Sequence, residues 1–163
     1  MGLGKIEKAT YVSIKEGRIV TKDAAGKEQA HDYLEGMLVD LTRKEKEFNG
    51  EKVTQYQFEF KDDEGERYIL STGEKGGVAR ALINSLASMQ GKTGNLRIVP
   101  YAKDGFSKVL LYQNGERLDW KYKEIPAVEE KQVEGVKIKD ETKRLEFFRN
   151  VAEDIASRVS KVN

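Results

Sequence analysis

Few residues in this chain are of the kinds that make or break bonds. It has one histidine, His31, and no cysteine. A single imidazole without thiols completes neither a tetrahedral zinc site nor a Ser-His-Asp triad. The lack of cysteine also removes disulfides and thiolate nucleophiles. Asp62-Asp63-Glu64 is a run of carboxylates that a divalent cation could use, but it stands just before Gly65, where Asp serves hairpin-turn chemistry. Gly91-Lys92-Thr93 matches the end of a phosphate-binding loop. That loop needs an earlier glycine where Leu86 stands, and a helix after it rather than before it. Gly73, Gly76 and Gly77 read instead as a turn and the start of a helix. A magnesium-dependent nuclease would need paired carboxylates outside turns, and the sequence offers none. The expectation is a protein that binds without catalysis and without a metal or cofactor.

What remains is a pattern of rings and cations. Lysine and arginine number 29 against 28 aspartates and glutamates, so the total charge announces no nucleic-acid partner and only local clustering could. In Leu96–Tyr101, Leu96 and Ile98 pointing inward would turn Arg97, Val99 and Tyr101 outward. In Phe106–Tyr112, Val109 and Leu111 inward would turn Phe106, Lys108, Leu110 and Tyr112 outward. Rings on which bases stack, set among cations that follow the phosphates, are what a sequence-independent single-strand binder requires. From 94 to 123, Arg97, Lys103, Lys108, Arg117, Lys121 and Lys123 outnumber Asp104, Glu116 and Asp119. Arg43, Lys44 and Lys46 form a second basic cluster. Phe58, Phe60 and Tyr68 lie on alternating faces of the kind that packs a core. Tyr101, Phe106 and Tyr112 could pack or stack, and so could Trp120, which shares a face with Leu118 and Tyr122.

The elements that would position these side chains are short strands around one helix. Residues 8 to 22 read as a hairpin turning at Lys15-Glu16-Gly17, followed by a polar loop over 23 to 31 that places His31 at the surface. Residues 32 to 48 carry apolar groups on both faces, as a strand buried on both sides does, and Gly36 inside them suggests a bulge or bend. Asn49-Gly50 marks a turn. Residues 53 to 60 alternate strictly, with Tyr56, Phe58 and Phe60 on one side, and the return strand is 66 to 72. Val78, Leu82, Ile83, Leu86 and Met89 then recur at helical spacing from about Glu74 to Gln90, with Gly91 at the C-terminal cap. Two hairpins follow, turning at Asp104-Gly105 and Asn114-Gly115. Residues 124 to 139 lose the pattern and read as a linker. An amphipathic helix then covers about 140 to 160, striped by Leu145, Phe148, Val151, Ile155 and Val159. It would either dock on the sheet or pair with the same helix of a second copy.

A bent strand, a hairpin of two, a helix and two more strands is the order of the OB-fold, a five-stranded Greek-key β-barrel. The sequence therefore predicts a mainly β protein. Its barrel spans residues 1–123, with the N-terminal hairpin as an extension, one helix plugging the barrel between strands three and four, and a C-terminal helix over 140–163. A different α+β sheet with a helix on one face is the alternative. His31–Leu41, Val53–Thr72, Val78–Met89 and Leu96–Tyr122, together with the hairpin at 11–22, resemble OB-fold single-stranded-DNA-binding proteins of bacteriophage type over residues 8 to 123. The resemblance implies binding of single-stranded DNA, or RNA, in a phage or bacterial host cytoplasm, alongside replication or recombination proteins. One departure is the end, Ala156–Asn163, which lacks the acidic, aromatic-tipped tail used to recruit such partners. In an OB-fold the loops joining strands one to two and four to five, with the face of strands two and three, carry the ligand. That assigns the nucleic acid to Arg43, Lys44 and Lys46, to Gln55, Gln57 and Arg67, and to Arg97, Tyr101, Lys103, Phe106, Lys108, Tyr112, Trp120 and Lys121. The rival function is a protein-interaction or structural module on the same scaffold. No apolar run approaches the length of a membrane span or a secretory leader core, so the expected compartment is cytoplasmic, with no membrane partner.

Overall fold

A computed structural model describes residues 9–23, 25–89 and 94–160. Strands β1 (Ala9–Lys15) and β2 (Arg18–Lys22) form the expected antiparallel hairpin around Glu16 and Gly17. Part of the expected polar loop is instead a short strand, β3 (Glu28–His31), paired with β2. Its side chains are all exposed. It is held by backbone pairing rather than burial, so hydrophobic alternation could not signal it. His31 is exposed, as expected, and lies 3.1 Å from the Thr21 hydroxyl.

β4 (Leu34–Phe48) and β5 (Glu51–Lys61) make a long hairpin turning at Asn49-Gly50. Tyr56, Phe58 and Phe60 are buried on one face of β5, as their alternation requires. β4 departs from the expected double-sided burial. Leu34, Leu38 and Leu41 face the core, Met37 and Tyr33 are exposed, and a register shift between Leu38 and Asp40 lets both parities look apolar in sequence. The irregularity therefore falls past Gly36. Gly36 is where β4 changes partner, from β7 (Leu96–Lys103) at Leu34–Gly36 to β5 from Met37 onward. A Cβ there would sit 3.0 Å from the Lys61 carbonyl oxygen, tighter than most side chains come to backbone, so the crossing favours glycine.

β6 (Arg67–Gly73) returns along β5. Helix α1 (Gly77–Leu86) is shorter than the predicted stretch, and it buries Leu82, Ile83 and Leu86, with Met89 buried just beyond it. The predicted cap at Gly91 and the Gly91–Thr93 run lie outside the described residues. β7 and β8 (Phe106–Gln113) form a hairpin through Asp104-Gly105, and β9 (Glu116–Arg117) is all that forms of the next predicted strand. Residues 124–139, expected as a linker, include most of a separate hairpin of β10 (Glu129–Val133) and β11 (Val136–Asp140). Helix α2 (Thr142–Ser160) closes the described chain.

Nine strands form one mixed sheet in the order β3-β2-β1-β6-β5-β4-β7-β8-β9. Closing the predicted five-strand barrel would need β6 to pair with β8. Among the described residues no such pair forms, because β1 occupies that edge of β6 in parallel register, from Ala9 opposite Arg67 to Val12 opposite Leu70. The N-terminal hairpin is thus part of the sheet rather than an extension. The protein is mainly β, with an open sheet in place of a closed barrel. The sheet still curls, because the β1–β2 turn reaches β7 and β8. The Gly17 amide donates to the Ser107 hydroxyl at 3.0 Å, and Gly17 lies against the Tyr101–Ala102 backbone.

One core runs through the sheet and both helices. Phe148, Val151, Ile155 and Val159 of α2 are buried within the chain, so the apolar stripe is covered without a second copy. A part-buried ion cluster centred on the buried Glu74 ties α2 to the sheet. The Glu74 carboxylate accepts hydrogen bonds from Arg149 at 2.8 Å and from Arg43 of β4. Burial by itself would raise the Glu74 carboxyl, but the bonds from Arg149 and Arg43 outweigh it and hold the group below its ordinary value. Tyr56, beneath the cluster, has a buried hydroxyl with no hydrogen-bond partner among the described residues, and burial, reinforced by the Glu74 charge, pushes it up to about 12.

Candidate nucleic-acid interface

The β7–β8 hairpin alternates as its sequence demands. Leu96, Ile98 and Leu111 are fully buried, which turns the intervening side chains to the outer face. Antiparallel register then fixes who stands opposite whom on that face: Arg97 faces Tyr112, Val99 faces Leu110, Tyr101 faces Lys108, and Lys103 faces Phe106. Directly opposed residues in such a ladder have Cβ atoms about 4.5 to 5.5 Å apart. Three of the four rows thus set a cation beside a ring. Phe106 is 71% exposed and Tyr101 39% exposed, too much for rings whose task is to fill a core. Asp104-Gly105 forms the tight turn at the tip, with both residues at positive φ.

A fourth aromatic joins from the residue just before β4. Tyr33 is 50% exposed, and the Arg97 guanidinium lies 4.6 Å from its ring centroid, a cation–π contact. Tyr33 belongs to the 32–48 segment whose sequence reads as apolar on both faces. Parity carried the signal, since an inward Leu34 turns its neighbour outward. Arg97 also donates to Glu35 at 3.1 Å. The Asn95 amide, more than Arg97, holds the Glu35 carboxyl below its usual range. Glu35 is the acidic member of this face, and a phosphate arriving there would compete with it for Arg97.

Trp120 and Lys121 lie past the hairpin rather than on its outer face. Asn84 of α1 clamps them: its side-chain oxygen accepts from the Tyr122 amide, its side-chain nitrogen donates to the Tyr122 carbonyl, both at 2.8 Å, and its backbone oxygen accepts from Lys121. Asn84 is fully buried, so the segment is pinned from beneath. Trp120 remains 48% exposed, and of the two readings its sequence left open it does not fill the core. Lys121 sits 5.4 Å from the Tyr122 ring centroid.

The remaining predicted contacts lie elsewhere. Lys44 and Lys46 stand on the end of the β4–β5 hairpin, which projects beyond β6: β6 pairs only with Gln55–Lys61, and Lys44 faces Gln55 at that limit. Arg43 has the opposite parity and is committed to Glu74. Gln57 is buried among the strands, and Arg67 is ion-paired with Glu59 at 2.6 Å. The structure therefore brings together Arg97, Tyr101, Lys103, Phe106, Lys108 and Tyr112, leaves Lys44, Lys46 and Gln55 on a separate arm, and turns Arg43, Gln57 and Arg67 to structural contacts. The Asp62 carboxylate accepts from the Glu64 and Glu66 amides, as its reading as turn chemistry predicted. No group of acidic or histidine side chains suited to a metal ion occurs among the described residues. No helix there is long and apolar enough to cross a membrane.

Comparison with family models, with curated proteins and with solved structures finds no match for this chain.

Proposed function

We propose that this protein binds single-stranded DNA without sequence preference and without acting on it chemically. The observation that carries the proposal is the cross-strand arrangement on β7–β8, where Arg97/Tyr112, Tyr101/Lys108 and Lys103/Phe106 alternate ring and cation along one exposed face. A base offers the same kind of π-face whatever its identity, and each phosphate offers the same charge, so such a face suits any sequence. The strand connectivity supports an OB-like reading of the scaffold. β4 pairs with both β5 and β7, β6 follows β5, and α1 lies between β6 and β7 in the chain. On that reading the β4–β5 arm and the β7–β8 turn are the two loops that flank the ligand.

The test is fluorescence anisotropy of labelled mixed-sequence oligonucleotides at low salt, with duplex DNA and single-stranded RNA as comparators. Tighter binding of the single-stranded DNA is expected, with homopolymers of different base close to one another in affinity. Absence of binding at low salt overturns the proposal and leaves a protein-interaction module in its place.

A further inference from the structure

Behind the β7–β8 tip, between that hairpin, α1 and α2, lies a groove of about 540 Å³. The rings of Tyr101, Phe106 and Trp120 line it together with Lys108, Arg80 and Arg144. None of the described residues lining it is a carboxylate, although acids nearly equal bases in the chain as a whole. Two of its walls are held from outside. Asn84 pins the backbone that presents Trp120, and the Arg144 guanidinium is oriented by donation to the Pro126 carbonyl at 3.0 Å. The groove thus joins three exposed rings to three cations, continuous with the outer face through Tyr101 and Phe106.

We infer that the strand bound on the outer face turns over the β7–β8 tip and places an unstacked base in this groove. The base stacks on Trp120, and its phosphates lie against Lys108, Arg80 and Arg144. Charge complementarity selects the occupant. A partner with an acidic backbone and flat apolar appendages satisfies both the cations and the rings, whereas an apolar peptide would leave three cations desolvated against nothing. The inference rests on the single-strand-binding reading and extends it, giving the ligand a path and adding Arg80 and Arg144, which no sequence pattern singled out.

Trp120 is the only tryptophan, so the full-length protein reports on the groove by its own emission. Titration with oligothymidylate of graded length, followed at once by tryptophan emission and by anisotropy of the labelled oligonucleotide, should show quenching that tracks binding. Trp120→Ala should weaken binding about 5- to 150-fold, the range expected for loss of one stacked base. Trp120→Phe should restore most of it, and Arg80→Gln should weaken binding without changing the circular dichroism. If the oligonucleotide binds while Trp120 emission stays constant, or if Trp120→Ala keeps full affinity, the groove is not on the path and the outer-face reading stands alone. If nothing binds at low salt, the functional proposal fails and this one with it. Because the emission measurement uses the unaltered chain, poor folding of a variant does not blunt the test.

Discussion

At the scale of single residues, two aromatics of the same sheet, on β5 and β8, have opposite tasks. Phe58 is 0% exposed and Phe106 71%. Phe58→Ala should lose about 3 to 5 kcal/mol of unfolding free energy through the cavity it leaves. Phe106→Ala should leave the urea midpoint nearly unchanged and cost about 1 to 3 kcal/mol of binding if a base stacks there. The reverse outcome in paired denaturation and anisotropy measurements would place Phe106 in the core. Glu74 supplies a second residue-scale prediction. Its folded-state pKa lies below the ordinary 4.5, so its contribution is complete above that value and is lost as pH falls through the lower, folded one. Glu74→Gln should cost about 3 kcal/mol at neutral pH, the low end for a broken buried pair because Arg43 and Arg149 keep partial contact with water. Urea midpoints between about pH 6 and pH 3 should then fall less steeply in the variant than in the parent. These roles differ in how far sequence could foretell them. The outward turn of Tyr101 and Phe106 was legible from the inward Leu96, Ile98 and Leu111. The commitment of Arg43 to Glu74 was not, since it needs β4 and the residues after β6 brought side by side.

Among elements, legibility followed burial. β5 and the β7–β8 hairpin announce themselves because one face of each fills the core, and α2 because its stripe does. β3 and the β10–β11 hairpin escaped because their strands are almost wholly exposed. Val133, Val136 and Ile138 point into solvent and set up no contrast with the charges between them. The turn at Glu134-Gly135 was nonetheless of the same kind as Glu16-Gly17, with both residues at positive φ. The Glu16-Gly17 turn is where elements meet. A Cβ on Gly17 would stand 2.4 Å from the Ala102 backbone nitrogen, and φ is +74°. Gly17→Ala should therefore push the β1–β2 hairpin off β7–β8. Stability should fall by more than about 1 kcal/mol from backbone strain alone, with weakened oligonucleotide binding as the Tyr101 row shifts. Unchanged affinity in a destabilised but folded Gly17→Ala protein would separate that contact from the binding face.

For the whole molecule, net charge of +1 means that any attraction to DNA is local, so salt should report how many cations take part. Each phosphate neutralised on a single strand contributes about −0.7 to the slope of log K against log salt. Arg97, Lys103 and Lys108 acting alone predict a slope of about −2, and recruitment of Lys44 and Lys46 from the arm steepens it to about −3.5. A slope near zero would exclude phosphate contacts altogether. The open sheet was the part of the architecture that residue order could not foretell. Strand succession from β4 to β8 matches a barrel, but nothing in Tyr11 or Val12 says that their strand will lie parallel to Arg67–Leu70. That pairing also bears on how the chain reaches its final form. β1 is made well before the edge it belongs to, while β4, β5 and β6 meet their neighbours across short turns. Local hairpins close in microseconds, whereas distant pairings wait on the entropy of closing a long loop. During synthesis β1 must stay unpaired on its parallel side until β6 has left the ribosome. In that interval the nascent chain carries an open strand edge, and another chain on the same polysome could take it.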